Sequence, residues 1–136
     1  MWSKKGLGAM LINHIGIIVA DLHRSVHIYS ELGYVLHNDI KQDNIQDNRI
    51  AIMKSQFSPD IELIEAVNEL SSIYNAKKGY HHICYEAEPG EDIIQKFNDM
   101  KIGKIFTQPI IAPALNNRKV VFACLQNGTF IEFILS

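Results

Sequence analysis

The stretches NHIGII (residues 13–18) and HHICYE (residues 81–86) decide the reading of this chain, because they are two versions of one short strand. Each carries a histidine, His14 in the first and His82 in the second, 68 residues apart. A second pair follows the first: IELI (61–64) and IEFI (131–134) set Glu62 and Glu132 70 residues apart. Leu32-Gly33 and Ile102-Gly103 repeat at that same 70-residue spacing. In a chain of 136 residues such a repeat fills half the length, the signature of a duplicated module whose equivalent elements are related by a pseudo-twofold axis. That axis brings His14, Glu62, His82 and Glu132 together. Two imidazoles and two carboxylates converging on one point compose a site for one divalent metal ion.

Working outward, the element pattern repeats as well. Leu11 to Val19 is rich in β-branched residues and reads as a strand, and Asp21 is a good N-cap for a helix with an apolar stripe at Leu22, Val26, Tyr29 and Leu32. Gly33 fits a left-handed helix cap. Tyr34–Ile40, Arg49–Lys54 and Asp60–Val67 read as three strands, which makes the first module β-α-β-β-β over residues 11–67. A linker, 68–79, carries a short helix near Ser72–Lys77. The second module, 80–136, repeats the order with a strand at Tyr80–Ala87, a helix at Glu91–Met100 capped by Gly103, and strands at Lys104–Gln108, Arg118–Leu125 and Thr129–Leu135. Asn127-Gly128 marks a hairpin between the last two strands. The expected fold is α+β: two paired βαβββ modules forming a half-open, cupped eight-stranded barrel.

Strand alternation assigns the faces. With His14 turned into a cleft, Gly16 and Ile18 share its face, while Ile15, Ile17 and Val19 meet the helix layer. The same parity puts Cys84 and Glu86 on the cleft face beside His82 and turns His81 away from it. Gly16 and Cys84 are therefore candidate substrate-lining residues. Glu62 and Glu132 each lie between apolar strand neighbours, where an unpaired carboxylate is expensive to bury and a bound cation removes the difficulty. His23, His27 and His37 read as solvated, Glu65 and Glu69 as surface charge, and Asp43 and Asp47 as members of a polar turn. Few aromatic residues are expected near the cleft.

Composition limits the function classes. The hydrophobic share of 47% suits one domain, residues 11–136, with 1–10 as an N-terminal extension. The net charge of −2, from 13 basic and 15 acidic residues interspersed along the chain, supplies no cationic surface for nucleic acid. The longest apolar run, Ile15 to Ala20, is far below the roughly 20 residues of a membrane helix, and MWSKKGLGA lacks the apolar core of a signal peptide. A cytoplasmic protein is expected. Cys84 and Cys124, both in apolar segments, are read as reduced, buried thiols.

At these residues the chain resembles the vicinal oxygen chelate superfamily, which includes glyoxalase I, methylmalonyl-CoA epimerase, extradiol dioxygenases and antibiotic-resistance proteins. The likeness runs from about Leu11 to Leu135. HIGIIVADL (14–22), YSELGY (29–34), IELIEA (61–66), SSIYNAKKGYHHICYE (71–86), VVFA and IEFI are most similar to methylmalonyl-CoA epimerases. The resemblance implies that His14, Glu62, His82 and Glu132 ligate zinc, nickel, cobalt, manganese or iron, with two positions left for substrate oxygens. It further implies an isomerase or lyase that moves a proton beside a carbonyl through a metal-stabilised enolate, with Glu132 as both ligand and base.

Two departures from the epimerases stand out. Their second catalytic glutamate corresponds here to Gln46, with Asp47 adjacent as a substitute base if the register slips by one, a slip in which strand parity turns it to the other face. The glycine- and histidine-bearing loop before their seventh strand is replaced by APALNNRKV (112–120), where Arg118 is a candidate partner for an anionic substrate group. The substrate implied is a small molecule such as an acyl-CoA or a glutathione thioester, and the default assembly is a homodimer. A glyoxalase I-like lyase, an extradiol-type dioxygenase and a metal-free binding or resistance protein are the alternatives. Glu62, a fourth ligand, argues against the dioxygenase.

Overall fold

The computed structural model describes residues 7–135. Most of the expected N-terminal extension, residues 1–6, lies outside the described residues; Met10 already opens the first strand. Twelve elements follow in chain order: β1 (Met10–Ile18), α1 (Leu22–Glu31), β2 (Val35–Asp43), β3 (Asn48–Lys54), β4 (Asp60–Ala66), β5 (Gly79–Ala87), α2 (Ile93–Met100), β6 (Gly103–Ile105), β7 (Ile110–Ala112), a 3₁₀ turn (Pro113–Leu115), β8 (Arg118–Leu125) and β9 (Phe130–Ile134).

Local chemistry sets the helix ends. The Asp21 carboxylate accepts the Arg24 amide at 3.0 Å, and Glu65 reaches from β4 to accept the Leu22 amide at 2.8 Å. Glu65 is thus a tertiary cap for α1 as well as the partner of Arg49, rather than free surface charge. Asp92 caps α2 by accepting the Gln95 amide. Gly33 takes the left-handed conformation (φ +106) just past α1, as expected. Gly103 does not: Lys101 is the left-handed residue after α2, and Gly103 opens β6. A Cβ at Gly103 would lie 2.4 Å from the Cys124 carbonyl oxygen, so glycine permits close strand approach there. The linker holds consecutive turns in place of the expected helix at Ser72–Lys77. Leu125 and Gly128 close the last hairpin through a 2.9 Å backbone bond, with Gly128 at φ +86, a three-residue loop of the type that ends in a left-handed glycine.

The strands form a nearly closed, barrel-shaped sheet in the order β2-β3-β4-β1-β5-β9-β8-β6, with the short β7 added to β8 and one unsealed seam between β2 and β6. The duplication is visible in the registers. Gly16 pairs with Glu62 across parallel β1 and β4, and Cys84 with Glu132 across parallel β5 and β9. Ile52 opposes Glu62, and Phe122 opposes Glu132, in the matching antiparallel pairs. β1 and β5 run antiparallel at the centre, so the four matched residues meet beside the pseudo-twofold axis.

Each helix covers the outer face of its own half. Leu22, Val26 and Tyr29 of α1 pack on Ile15, Ile17, Ala51, Met53 and Leu63. Ile93 and Phe97 of α2 pack on Val121, Ala123, Ile131 and Phe133. Phe97 is completely buried, with its ring 5.4 Å from that of Phe133; removing such a side chain costs about 3–5 kcal/mol. The concave face is left for the four polar residues, flanked by apolar neighbours such as Ile52 and Phe122.

Candidate metal centre

Alternation places His14 and His82 inward, and two β-bulges refine their aim. Between Ile12 and His14 the β1–β5 register slips by one, leaving Asn13 as the extra residue; between Gly16 and Ile17 it slips again, with His81 as the extra residue on β5. Asn13 and His81 are 68 residues apart, like the histidines they precede. Each holds the Nδ1 of its neighbour at 2.8 Å: Asn13 Oδ1 that of His14, and His81 Nδ1 that of His82. An amide oxygen can only accept, so in its neutral form His14 keeps its proton on Nδ1 and presents a bare Nε2 to the centre. The same tautomer at His82, donating to His81, frees its Nε2 equally.

The two Nε2 atoms lie 3.2 Å apart. Glu132 Oε1 is 3.0 Å from both, and Glu62 approaches at 3.5 Å from His14 and 3.7 Å from His82. One ligand atom from each of the four residues falls within 4.8 Å of all the others, and all four residues are buried. Among the described residues this is the one such cluster. Glu132 Oε1, despite its short approaches, has no aligned hydrogen bond and is left unsatisfied. A cavity of about 30 Å³ adjoins Glu62, His82 and Glu132, the volume of a single water or a bare ion. Close-set lone pairs, an orphaned carboxylate oxygen and a one-ion space together fit a divalent cation.

The electrostatics agree. Burial works against charge on His14, but Glu62 and Glu132 outweigh it and raise the imidazole from 6.5 to about 8. Burial pushes Glu132 up, yet the two imidazoles hold it down at about 2. Glu62 is pushed up, first by burial and then by Glu132, against the pull of His14. His81 is lowered to about 4 by burial and by the neighbouring His82, which keeps it neutral at physiological pH.

Several residues stand elsewhere than the sequence suggests. His81 does not turn away from His82, because the bulge breaks the parity; it lines the cavity. Gly16 contacts the site but serves the histidine: a Cβ there would lie 2.2 Å from His82 Cε1. Cys84 is fully buried among Val120, Phe122 and Ile134 and is not part of the wall of that cavity, and burial pushes its thiol far up. Arg118 places its guanidinium on Glu86 at 2.9 Å and on the Leu115 carbonyl at 3.3 Å. Glu86 in turn accepts from Asn13, which links Arg118 through Glu86 to the residue that holds His14. Asp47 occupies a left-handed turn position (φ 55) and lines no cavity. Gln46 does line it, but its amide donates to Asp43 Oδ2 and accepts from the Ser72 hydroxyl. The buried carboxylate in this turn is Asp43, whose Oδ1 accepts the Ile45 and Gln46 amides. The signal for it is an aspartate preceding a polar turn whose amides it can accept, a turn motif rather than a catalytic one. Aromatic rings near the cleft are not few: Phe106, Phe122 and Phe130 stand on its second-module side.

A nearly closed barrel of two βαβββ modules carries at its axis a buried His-Glu-His-Glu cluster that could hold a metal ion. Residues 13–122 match the Glyoxalase/Bleomycin resistance protein/Dioxygenase superfamily, and the chain belongs to it. No curated protein sequence matches the chain. Among solved structures, a hypothetical protein from Bacillus halodurans superposes with TM-score 0.79 at 24% identity, covering 93% of this chain and 94% of its own. Methylmalonyl-CoA epimerase from Mycobacterium tuberculosis gives 0.79 at 19% identity over 98% and 91%. A Streptomyces coelicolor methylmalonyl-CoA epimerase in complex with 2-nitronate-propionyl-CoA gives 0.78 at 20% over 93% and 94%. At these identities the likeness is one of fold.

Proposed function

We propose that this protein is a metal-dependent isomerase or lyase that transfers a proton at the carbon beside a carbonyl. The observation that carries the reading is the convergence of His14, Glu62, His82 and Glu132 within 4.8 Å. A divalent ion held by these residues supplies Lewis acidity, which stabilises the enolate charge formed beside a carbonyl. The four side chains fix its place, and Asn13 and His81 orient the two imidazoles. Glu132 takes the proton as the C–H electron pair moves into the carbonyl, and returns it in the second half of the reaction. Water is restricted by the small size of the inner cavity. The similarity to methylmalonyl-CoA epimerases supports this class of chemistry and an acyl thioester as the first substrate to try.

One observation favours a glyoxalase I-like variant of the same chemistry. Gln46 cannot act as a Brønsted base, its amide is engaged by Asp43 and Ser72, and Asp43, which also lines the inner cavity, is held by the Ile45 and Gln46 amides and the Gln46 side chain. A single base returns the proton on the face from which it came, as a 1,2-transfer requires and a two-base epimerisation does not.

The test is deuterium exchange. Metal-loaded protein is incubated in deuterated water with methylmalonyl-CoA or with the hemithioacetal of glutathione and methylglyoxal, and solvent deuterium at the reacting carbon is followed by mass spectrometry. Exchange with either, abolished in Glu132→Gln, is expected; no exchange with both contradicts the reading.

A further inference from the structure

Beside the inner cavity a second one of about 420 Å³ opens to solvent, and the two share Gln46, Ile73, His81 and Phe122 in their walls. Its size is that of a small-molecule pocket. The wall facing the histidines is a continuous run of aromatic contacts. The Phe122 ring lies 5.5 Å from His82 and 6.4 Å from Phe106; Phe106 lies 5.7 Å from Phe130; and Phe130 lies 5.9 Å from His81. These are favourable ring separations. Ile45, Leu70 and Ile110 complete the apolar surface.

The polar groups in this wall are few, and each makes a bond within the protein. Ser72 donates to Gln46, Thr107 accepts the Phe122 amide, and His81 holds His82. Among the described residues no lysine or arginine lines the pocket. A carboxylate or phosphate entering it would lose hydration without gaining a cationic partner. The pocket also breaks the internal symmetry: Phe122 opposes Glu132 where Ile52 opposes Glu62, so the aromatic wall belongs to the second module alone.

We propose that this pocket selects the substrate, accepting an uncharged aromatic or bulky apolar substituent on a compound that offers two neighbouring oxygens to the four-residue centre. The inference rests on the metal-centre reading above and adds to it the class of the substituent. The pocket's apolar rim, with Phe106 55% and Phe130 42% exposed, is surface that such a group would cover.

Three hydroxamic acids, which chelate through vicinal oxygens, separate the possibilities on cobalt-loaded protein, read by the visible cobalt spectrum and by calorimetry. Benzohydroxamic acid is expected to bind about tenfold or more tighter than acetohydroxamic acid, and 4-carboxybenzohydroxamic acid is expected to lose that advantage. Phe106→Ala and Phe130→Ala remove half-exposed rings; each is expected to weaken the aryl ligand several-fold and leave acetohydroxamic acid unchanged. Equal binding of the three acids, or an aryl advantage that survives both substitutions, overturns the selective pocket while leaving the metal centre standing. If the protein takes up no cobalt, the metal-centre reading itself has failed and the proposal falls with it; bound cobalt that no acid perturbs overturns the proposal alone.

Discussion

Gly16→Ala is the sharpest test of how the site is assembled. Gly16 has no positive φ, so alanine meets no backbone penalty there, and the effect isolates one contact. The added methyl would lie 2.2 Å from His82 Cε1, 2.5 Å from Nδ1 and 2.8 Å from Nε2, where ordinary contact begins at 3.4 Å. The imidazole must therefore retreat by about 1 Å, or the strands must part. It has little room, being 1% exposed and edge-on to Phe122. Overpacking of this kind costs about 1–3 kcal/mol. Metal–ligand distances tolerate only about 0.2 Å of error, so a displaced Nε2 ceases to be a useful ligand. Affinity is expected to fall by about 100-fold or more, beyond the roughly 10–100-fold typical of losing an orienting partner. The assay is chelator-competition titration with zinc or cobalt, with calorimetric melting of the metal-free protein alongside. A Gly16→Ala protein that binds metal as tightly as the parent refutes the claim that this glycine exists to admit His82.

Asn13→Ala and His81→Ala, which remove the groups holding Nδ1 of the two histidines, are each expected to weaken metal binding by about 10–100-fold; unchanged affinity in both, by the same titration, would leave the bulges without a role in the site. In the metal-free protein His14 is raised from 6.5 to about 8, so its contribution of about 2 kcal/mol is complete below pH 6.5 and lost as pH rises through 8. Urea unfolding between pH 6 and 9 should show stability falling across that window, while metal affinity climbs as the imidazole is freed of its proton; metal-free stability that increases over the window contradicts the assignment. Thiol labelling with an aromatic disulfide at pH 8 should modify the partly exposed Cys124 and spare Cys84, whose thiol burial keeps protonated; rapid labelling of both would show that Cys84 is accessible.

The four candidate ligands were legible because duplication writes them twice, and because strand parity alone turns His14 and His82 to one face. Parity also assigned Ile15 and Ile17 to the α1 layer correctly. It failed at His81 for a physical reason: a bulge inserts one residue into one strand only, and nothing in HHICYE distinguishes the extra residue from a paired one. Gly103 misled in the same way, since a glycine just after a helix reads as a cap, whereas here it admits the Cys124 carbonyl and Lys101 takes the left-handed turn. The aromatic pocket was invisible because Phe106 follows the short β6, Phe122 lies in β8 and Phe130 begins β9, and only closure of the barrel brings them together. Arg118 illustrates the limit of charge alone. Its partner, Glu86, lies 32 residues away and was assigned to the cleft.

The central claim is that His14, Glu62, His82 and Glu132 hold one divalent ion. Its most direct measurement is metal content by plasma mass spectrometry of the purified protein, after equilibration with nickel, cobalt or zinc and removal of unbound ion, beside His14→Ala and Glu132→Gln. The account predicts about one equivalent per chain in the parent and its loss in both variants. A parent that retains no metal, or variants that retain as much as the parent, would contradict it.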